Sequence, residues 1–160
     1  MGTSFSAEEH FRRGKTALEA GRYADSLQQF RSAHRLEPTN PRYRSYFGLG
    51  LGLAERRFDK ALGLCRSAAK EEFFNPDLYL NLARVHLAFG FKAEGIRYLR
   101  RGLMIDPRSE TIGAELCRLG MRRGPVLRFL RRSHSVNRCL GVLRRWLGRD
   151  RSGLEASLAG

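Results

Sequence analysis

Small and large apolar residues recur along this chain at helical spacing, and the whole pattern repeats about every 34 residues. One series of small residues is spaced 34 and then 35 residues apart: Gly14, Gly48 and Ala83. A series of larger apolar residues takes the longer step first: Leu27, Leu62 and Ile96. Paired helices approach closely where side chains are short, and bulky side chains fill the space between those contacts. The pattern therefore predicts three similar helical hairpins stacked side by side.

Each repeat unit is predicted to form two antiparallel helices. The short N-terminal tail and the three units have the bounds 1–6, 7–40, 41–75 and 76–109. Helix starts are marked by a capping residue, followed in two cases by proline: Ser6, Asn40–Pro41 and Asn75–Pro76. The unequal spacings place one extra residue in the middle unit, between Gly48 and Phe58.

These residues resemble the tetratricopeptide repeat (TPR) family, whose 34-residue unit is a helix–turn–helix with a closing proline. The first copy carries Gly14, Gly21, Tyr23, Leu27, Phe30, Ala33, Leu36 and Pro38. The third copy carries Leu82, Ala83, Gly90, Ile96, Leu99, Leu103 and Pro107. The middle copy is irregular, because its turn, residues 54–57, has no glycine and Phe73 stands at the place of the closing proline. The resemblance implies an all-α fold, a right-handed solenoid of three hairpins.

Two further segments are predicted after the repeats. Residues 110–123 form a capping helix that covers the open apolar face of the third hairpin. Its apolar residues fall on one helical face: Ile112, Leu116 and Leu119. Residues 124–149 form an Arg-rich extension that contains an extra basic C-terminal helix. Residues 150–160 are predicted to be a disordered tail.

No arrangement of residues indicates catalysis. We therefore predict that the chain is not an enzyme and that it needs no metal or other cofactor. The histidines are isolated, and no phosphate-binding loop is present. His86 lies at a packed first-helix position and is interpreted as a structural histidine with satisfied hydrogen bonds. The cysteines form no C-x-x-C pair and are expected to be buried or semi-buried in a reducing compartment: Cys65, Cys117 and Cys139. With no apolar signal segment at the N-terminus, we expect a cytoplasmic protein.

Positive charge is the second strong signal. The formal net charge is +14, and residues 110–160 hold eleven basic and four acidic residues, which is +7 or half of it. The arginines of the extension form a predicted basic patch: Arg128, Arg131, Arg132, Arg138, Arg144, Arg145 and Arg149. Three interpretations stay open. The extension packs on the solenoid with its basic side outward, docks on an anionic membrane surface or acidic partner, or, less favoured, binds nucleic acid.

In the family that this chain resembles, the first helix of each hairpin lines a concave groove that holds a peptide. The resemblance implies a groove built from Phe11, Arg12, Lys15, Arg42, Ser45, Tyr46, Leu49, Leu80, Asn81, Arg84 and Leu87. Basic, aromatic and amide groups together suit a peptide with carboxylates and one or two apolar anchors. The alternative is that these charges only solvate an open face. The carboxylate-clamp pattern of chaperone-binding members is not reproduced, since Asp77 has the wrong charge, so a chaperone-tail adaptor is disfavoured.

The sequence thus predicts a non-enzymatic interaction module, a scaffold or adaptor that binds a short acidic peptide segment of another protein. The alternative is a peripheral membrane- or nucleic-acid-associated factor that acts through the Arg-rich extension, with the repeats as an accessory.

Overall fold

The structure is a computed structural model that describes residues 5–120. Within this range it contains seven α-helices and no strand, and the predicted all-α solenoid of three hairpins is confirmed. The hairpins are α1–α2, α3–α4 and α5–α6, and α7 follows them. The helix bounds are α1 Ala7–Glu19, α2 Tyr23–Leu36, α3 Pro41–Ala54, α4 Phe58–Glu71, α5 Pro76–Ala88, α6 Lys92–Ile105 and α7 Glu110–Arg118.

Polar side chains fix the start of each first helix, as predicted. Ser6 forms a capping box with Glu9: the Glu9 backbone N–H donates to Ser6 Oγ at 3.2 Å, and the Ser6 backbone N–H donates to the Glu9 carboxylate at 3.1 Å. The side-chain oxygens of Asn40 and Asn75 accept hydrogen bonds at 3.1 Å from the backbone two residues later. Ser109 caps α7 by accepting a hydrogen bond from the backbone N–H of Ile112, three residues later. Each cap satisfies N–H groups that the helix itself leaves unpaired.

In each hairpin, one residue of the turn between the two helices has a left-handed backbone conformation. The irregular middle unit keeps this turn conformation although it has no glycine there. Gly21 and Gly90 take φ values of 72° and 84°, a region where an L side chain meets steric strain. Arg56 takes φ of 56° at the matching place and is the one non-glycine with positive φ among residues 5–120. Its guanidinium donates to the Ala88 carbonyl oxygen at 2.8 Å and lies 4.3 Å from the centre of the Phe89 ring. The extra residue lengthens α3 to 14 residues, against 13 in α1 and α5.

Glycines in the first helices allow the hairpins to close tightly. A Cβ atom at Gly48 would lie 2.9 Å from both the Ala61 carbonyl oxygen and Cys65 Sγ. A Cβ atom at Gly14 would lie 2.6 Å from the ring of Phe30. Non-bonded atoms in a close-packed interior do not come this close to each other, so both positions require glycine. The predicted series of small residues therefore marks the contact line between the two helices of a hairpin.

The last described helix covers the third hairpin. Ile112 of α7 is fully buried in one apolar cluster with Leu80 of α5 and Leu99 of α6, and Leu116 and Leu119 pack against the same cluster. A helix that caps the stack at this place is thereby confirmed, with α7 ending at Arg118. Residues 121–123, the Arg-rich extension with its basic patch, and the predicted tail at 150–160 lie outside the described residues. Among the helices that are described, none has the length and apolarity needed to cross a membrane.

Candidate functional site

The first helices of the hairpins and α7 share one face, and a cavity of about 560 Å³ opens there. Its apolar walls come from Leu18 of α1, Leu53 of α3 and Leu87 of α5. Its charged walls come from Glu19, Arg56, Arg84, Glu115 and Arg118, and the lining is completed by Gly21, Tyr23 and Ala88. We call this cavity the first-helix groove. Its size and its mixture of apolar and charged walls are typical of a ligand site.

The structure divides the eleven predicted groove residues into three groups. Arg84 and Leu87 line the first-helix groove. Arg12, Lys15 and Arg42 are accessible on the first helices outside it. The other six are at most 4% exposed and lie in the packed core: Phe11, Ser45, Tyr46, Leu49, Leu80 and Asn81. Helical spacing gives the face on which a residue lies, but it does not give the depth at which the neighbouring hairpin covers it.

Several lining residues were missed by the sequence analysis. Leu18 and Leu53 lie one helical turn after Lys15 and Leu49, so continuing the same face along the helix would have found them. Glu115 had no comparable signal in the sequence. It enters the groove because α7 docks against the third hairpin, chiefly against α6, which no local pattern encodes.

Glu115 is the central charged group of the groove. Its residue is 7% exposed, and its carboxylate accepts hydrogen bonds from Arg84 Nε at 3.1 Å and from an Arg118 guanidinium nitrogen at 2.6 Å. A buried carboxylate requires such partners, because burial removes the water that otherwise solvates its charge. Arg84, one of the predicted groove residues, is held in this ion pair. The pairing also orients both guanidiniums beside the cavity.

At the other end of the face, Arg42 is also engaged within the protein. Its guanidinium carbon lies 4.2 Å from the centre of the Phe11 ring, and one of its nitrogens lies 3.9 Å from the Glu8 carboxylate. The Tyr43 hydroxyl donates to the same carboxylate at 2.8 Å, and burial, reinforced by this hydrogen bond, raises the pKa of Tyr43 to about 12. Arg12 and Lys15 take part in no ion pair among residues 5–120. Both are therefore available to a ligand.

A line of polar groups runs through the core between α3, α4 and α5. Asn81 donates from its side-chain amide to Ser45 Oγ at 3.1 Å, and Cys65 Sγ donates to the Ser45 carbonyl oxygen at 3.2 Å. The side-chain oxygen of Asn81 has no hydrogen-bond partner among the described residues. Burial raises the pKa of Tyr46 to about 12, so this phenol stays protonated at neutral pH. The Asn81–Ser45 hydrogen bond joins the second and third hairpins, and the Cys65–Ser45 hydrogen bond joins the two helices of the second hairpin.

His86 corrects one expectation of the sequence analysis. The residue is 5% exposed, stacks on Tyr98 with ring centres 5.2 Å apart, and meets the Phe58 ring edge to face at 5.6 Å. Neither ring nitrogen has a hydrogen-bond partner within residues 5–120. The prediction of a packed histidine is confirmed, but the prediction of satisfied hydrogen bonds is wrong. The rings of Phe58, Phe91 and Tyr98 pack around it, and none of them hydrogen-bonds to its nitrogens. Burial lowers the pKa of His86 below its usual value of 6.5.

The lowered pKa of His86 predicts a loss of stability in acid. The unfolded chain binds a proton at His86 near pH 6.5, while the folded chain resists it until lower pH. The stabilisation is therefore complete above about pH 6.5 and falls as the pH drops towards the folded-state value. Urea unfolding at about pH 7.5 and about pH 5.5 measures the loss, which His86→Phe should reduce. An identical pH dependence in the wild type and the variant would refute this role of His86.

The cysteines divide between core and surface. Cys65 is fully buried, and burial raises the pKa of its thiol to about 12. Cys117 is exposed on α7, so the expectation that it is buried or semi-buried is wrong. The reason is that α7 is the last helix of the described stack and only the side that carries Ile112 is covered. Cys139 lies outside the described residues.

Thiol labelling should separate these two cysteines. Iodoacetamide applied to the folded chain is expected to modify Cys117 and to leave Cys65 intact, because the thiolate is the reactive species and Cys65 is both inaccessible and protonated. Peptide mass spectrometry reads each site. Labelling in denaturant, where both cysteines should react, is the control. Equal modification of both in the folded chain would contradict the structure.

Nothing in the described part of the chain resembles a catalytic centre. Within residues 5–120, no three His, Cys, Asp or Glu side chains come together as ligands for a metal ion. The first-helix groove can bind a ligand through apolar contacts and through charge-assisted hydrogen bonds from its guanidiniums.

Comparison with known proteins places the repeats among sequences of the same kind. The family model for the tetratricopeptide repeat matches residues 7–40. The TPR repeat-containing protein YpiA of Bacillus subtilis (strain 168) is 29% identical over 99 residues, which cover 59% of this chain and 22% of YpiA. The chain thus spans about a fifth of the length of this curated relative.

Two solved structures show the same fold at low sequence identity. The complex of the TPR2B domain of yeast Sti1 with pHsp70 gives a TM-score of 0.55 at 19% identity, covering 72% of this chain and 94% of that one. The first TPR of Spaghetti (RPAP3), bound to the HSP90 peptide SRMEEVD, gives 0.54 at 16% identity, covering 72% of this chain and 90% of that one.

Proposed function

We propose that this chain, which belongs to the tetratricopeptide repeat family, is a non-enzymatic protein-interaction module that holds a short acidic segment of a partner protein in its first-helix groove. The observation that carries the proposal is a single cavity in which three leucines meet three arginines: Leu18, Leu53, Leu87, Arg56, Arg84 and Arg118. A scaffold or adaptor works in this way, by binding one chain without altering it.

The two kinds of wall have separate tasks. The leucines provide apolar surface for one or two anchoring side chains of the partner. The guanidiniums present planar, paired donors that suit a carboxylate. Glu115 holds Arg84 and Arg118 in place, so less freedom is lost when they bind.

The balance of charge limits what the groove accepts. Its lining carries three arginines and two glutamates, a net charge of +1. A segment with one or two carboxylates beside an apolar residue fits this balance, whereas a long polyacidic run would meet Glu19 and Glu115. Arg12 and Lys15 lie outside the groove, within two helical turns before Leu18 on α1, and can receive a further carboxylate of a segment that extends beyond it.

The two solved relatives support a peptide ligand of this type. The Sti1 domain is in complex with pHsp70, and the Spaghetti domain holds SRMEEVD, a peptide with three carboxylate side chains beside methionine and valine. The present chain lacks the clamp pattern of chaperone-binding members, and its proposed ligand is therefore an internal or terminal acidic segment of another protein.

Peptide selection tests the proposal and needs no assumption about which protein is the partner. A random peptide library displayed on phage is selected against the full chain, and dissociation constants of the selected peptides are measured by fluorescence anisotropy. The groove variant Arg12→Glu with Lys15→Glu is expected to weaken acidic peptides about tenfold. The control variant Arg35→Glu with Arg100→Glu makes the same charge change on second helices and should weaken them by no more than about twofold. Arg84→Glu is avoided, because it would place a second carboxylate against Glu115.

Two results would refute groove binding. The first is a library that yields no acidic peptide. The second is equal weakening by the groove and control variants, which would mean that the net positive charge of the chain attracts the peptides without a defined site.

The composition of the C-terminal segment favours a second candidate function. Residues 121–160 carry ten arginines and two acidic residues. Such a segment can drive association with an anionic membrane or with nucleic acid. If it does, the full chain binds phosphatidylserine vesicles or duplex DNA in low salt, and a chain ending at residue 120 does not. Binding that survives this truncation would exclude the segment as its cause.

A further inference from the structure

We propose that the chain carries a second binding site on its second-helix side, where a recess between α4, α5 and α6 takes an aromatic side chain from an acidic segment of a partner protein. The recess has a volume of about 360 Å³. No residue that lines it also lines the first-helix groove, so the proposal goes beyond the function assigned to that groove.

The floor of the recess is aromatic and firmly held. Tyr79 is 3% exposed and donates its hydroxyl hydrogen to the Phe73 carbonyl oxygen at 3.2 Å, which fixes the turn between α4 and α5. Tyr98 lines the neighbouring wall and stacks on His86 behind it. An aromatic side chain that enters finds ring faces and edges already in place, and pairs of aromatic rings are more favourable than their buried area alone predicts.

Three cations surround this floor: Arg66, Lys70 and Arg101. All three are exposed, and none takes part in an ion pair among residues 5–120. The guanidinium carbon of Arg101 lies 5.1 Å from the centre of the Tyr79 ring. No carboxylate lines the recess, in contrast to the first-helix groove, where Glu115 engages two arginines. The positive charge here is uncompensated and favours an anionic ligand.

Exposed aromatic surface continues from the recess. Phe73 is 53% exposed and Phe74 is 74% exposed, with ring centres 3.9 Å apart. Adjacent exposed phenylalanines on a soluble surface are unfavourable unless a ligand or partner covers them. Phe73 occupies the position of the closing proline and also lines the recess. This departure of the middle repeat from the family pattern therefore places an aromatic side chain in the recess.

Charge and shape select an acidic peptide as the occupant. The segment of this chain outside the described residues, with ten arginines and two acidic residues, would be repelled by the three cations. A peptide can insert a side chain into the recess, whereas a bilayer surface has no side chain to insert. The recess therefore favours a peptide over an anionic bilayer.

The experiment uses the full chain and the same displayed peptide library. The recess variant is Arg66→Glu, Lys70→Glu and Arg101→Glu, and its matched control is Arg35→Glu, Lys60→Glu and Arg100→Glu. Both change one lysine and two arginines on second helices. We expect a class of peptides with an aromatic residue flanked by carboxylates, weakened about tenfold by the recess variant and no more than about twofold by the control. Changing the aromatic residue of the peptide to alanine should weaken binding to a similar extent.

Circular dichroism checks that each variant is folded, and glutamine replaces glutamate if the recess variant is not. Absence of this peptide class, or equal weakening by the recess and control variants, overturns the proposal. So does binding to phosphatidylserine–phosphatidylcholine vesicles that requires Phe73 and Phe74 while aromatic acidic peptides do not bind. The groove variant Arg12→Glu with Lys15→Glu should leave recess peptides unchanged, so failure of the recess and failure of the first-helix groove are distinguishable.

Discussion

Replacing Gly48 with alanine is expected to lower the free energy of unfolding by about 1–3 kcal/mol, although alanine is the better helix former. The new Cβ atom would lie 2.9 Å from the Ala61 carbonyl oxygen and from Cys65 Sγ, and 3.0 Å from Leu64 Cβ. The carbonyl belongs to the backbone of α4, so the contact is relieved only if α4 moves away from α3. Urea denaturation of the wild type and the variant, followed by circular dichroism, measures the loss.

Gly63→Ala is the matched control for this prediction. Gly63 lies within the adjacent helix α4, and a Cβ atom there would have no neighbour within 4 Å. Alanine should raise the free energy of unfolding by up to about 1 kcal/mol, because glycine is the weaker helix former. Opposite signs for the same substitution in neighbouring helices would demonstrate close packing at Gly48. A stabilising or neutral Gly48→Ala would show that the hairpin is looser than described.

The second large effect concerns Glu115. Glu115→Gln removes the charge that pairs with Arg84 and Arg118, and the free energy of unfolding should fall by about 1–3 kcal/mol because two hydrogen-bonded ion pairs are lost. The same change makes the groove more positive by one charge. Affinity for acidic peptides selected on the wild type should therefore rise about two- to fivefold. Stability and peptide affinity are predicted to move in opposite directions.

Glu94→Gln provides the control for the loss of one negative charge. Glu94 is exposed on α6 and takes part in no ion pair among residues 5–120. It should change neither the stability nor the affinity appreciably. If Glu115→Gln weakened acidic peptides, the structural support that Glu115 gives to the arginines would outweigh its charge, and the proposed electrostatic balance of the groove would be wrong.

Much of the fold was predictable because the residues that mark helix starts and hairpin contacts lie within each repeat of the sequence. The starts of α3 and α5 follow from Asn–Pro pairs, and the glycine positions at hairpin contacts follow from their period. The turn at Arg56 was not predictable from residue type, since a left-handed arginine is about 1–2 kcal/mol less favourable than a right-handed one. It is maintained by contacts with Ala88 and Phe89 of the next hairpin, which are tertiary.

The candidate site was predicted less well than the fold. Of the eleven residues predicted for the groove, Arg84 and Leu87 line the first-helix groove. The burial of Tyr46 and Asn81 could not be predicted, because it depends on how closely the next hairpin packs. The role of Glu115 depends on the docking of α7 against the third hairpin, which brings its carboxylate to Arg84. The unsatisfied ring nitrogens of His86 depend on the aromatic residues around it. Both are properties of the assembled stack.

Methyl NMR of a leucine-labelled chain tests groove binding most directly. An acidic peptide selected on the full chain is titrated in, and the methyl signals of the three groove leucines, Leu18, Leu53 and Leu87, are compared with those of the buried Leu27 and Leu62. We predict saturable shifts at the three groove leucines and little change at the other two. Shifts confined to leucines of residues 121–160, or no shift at the groove leucines under saturating peptide, would contradict recognition by the first-helix groove.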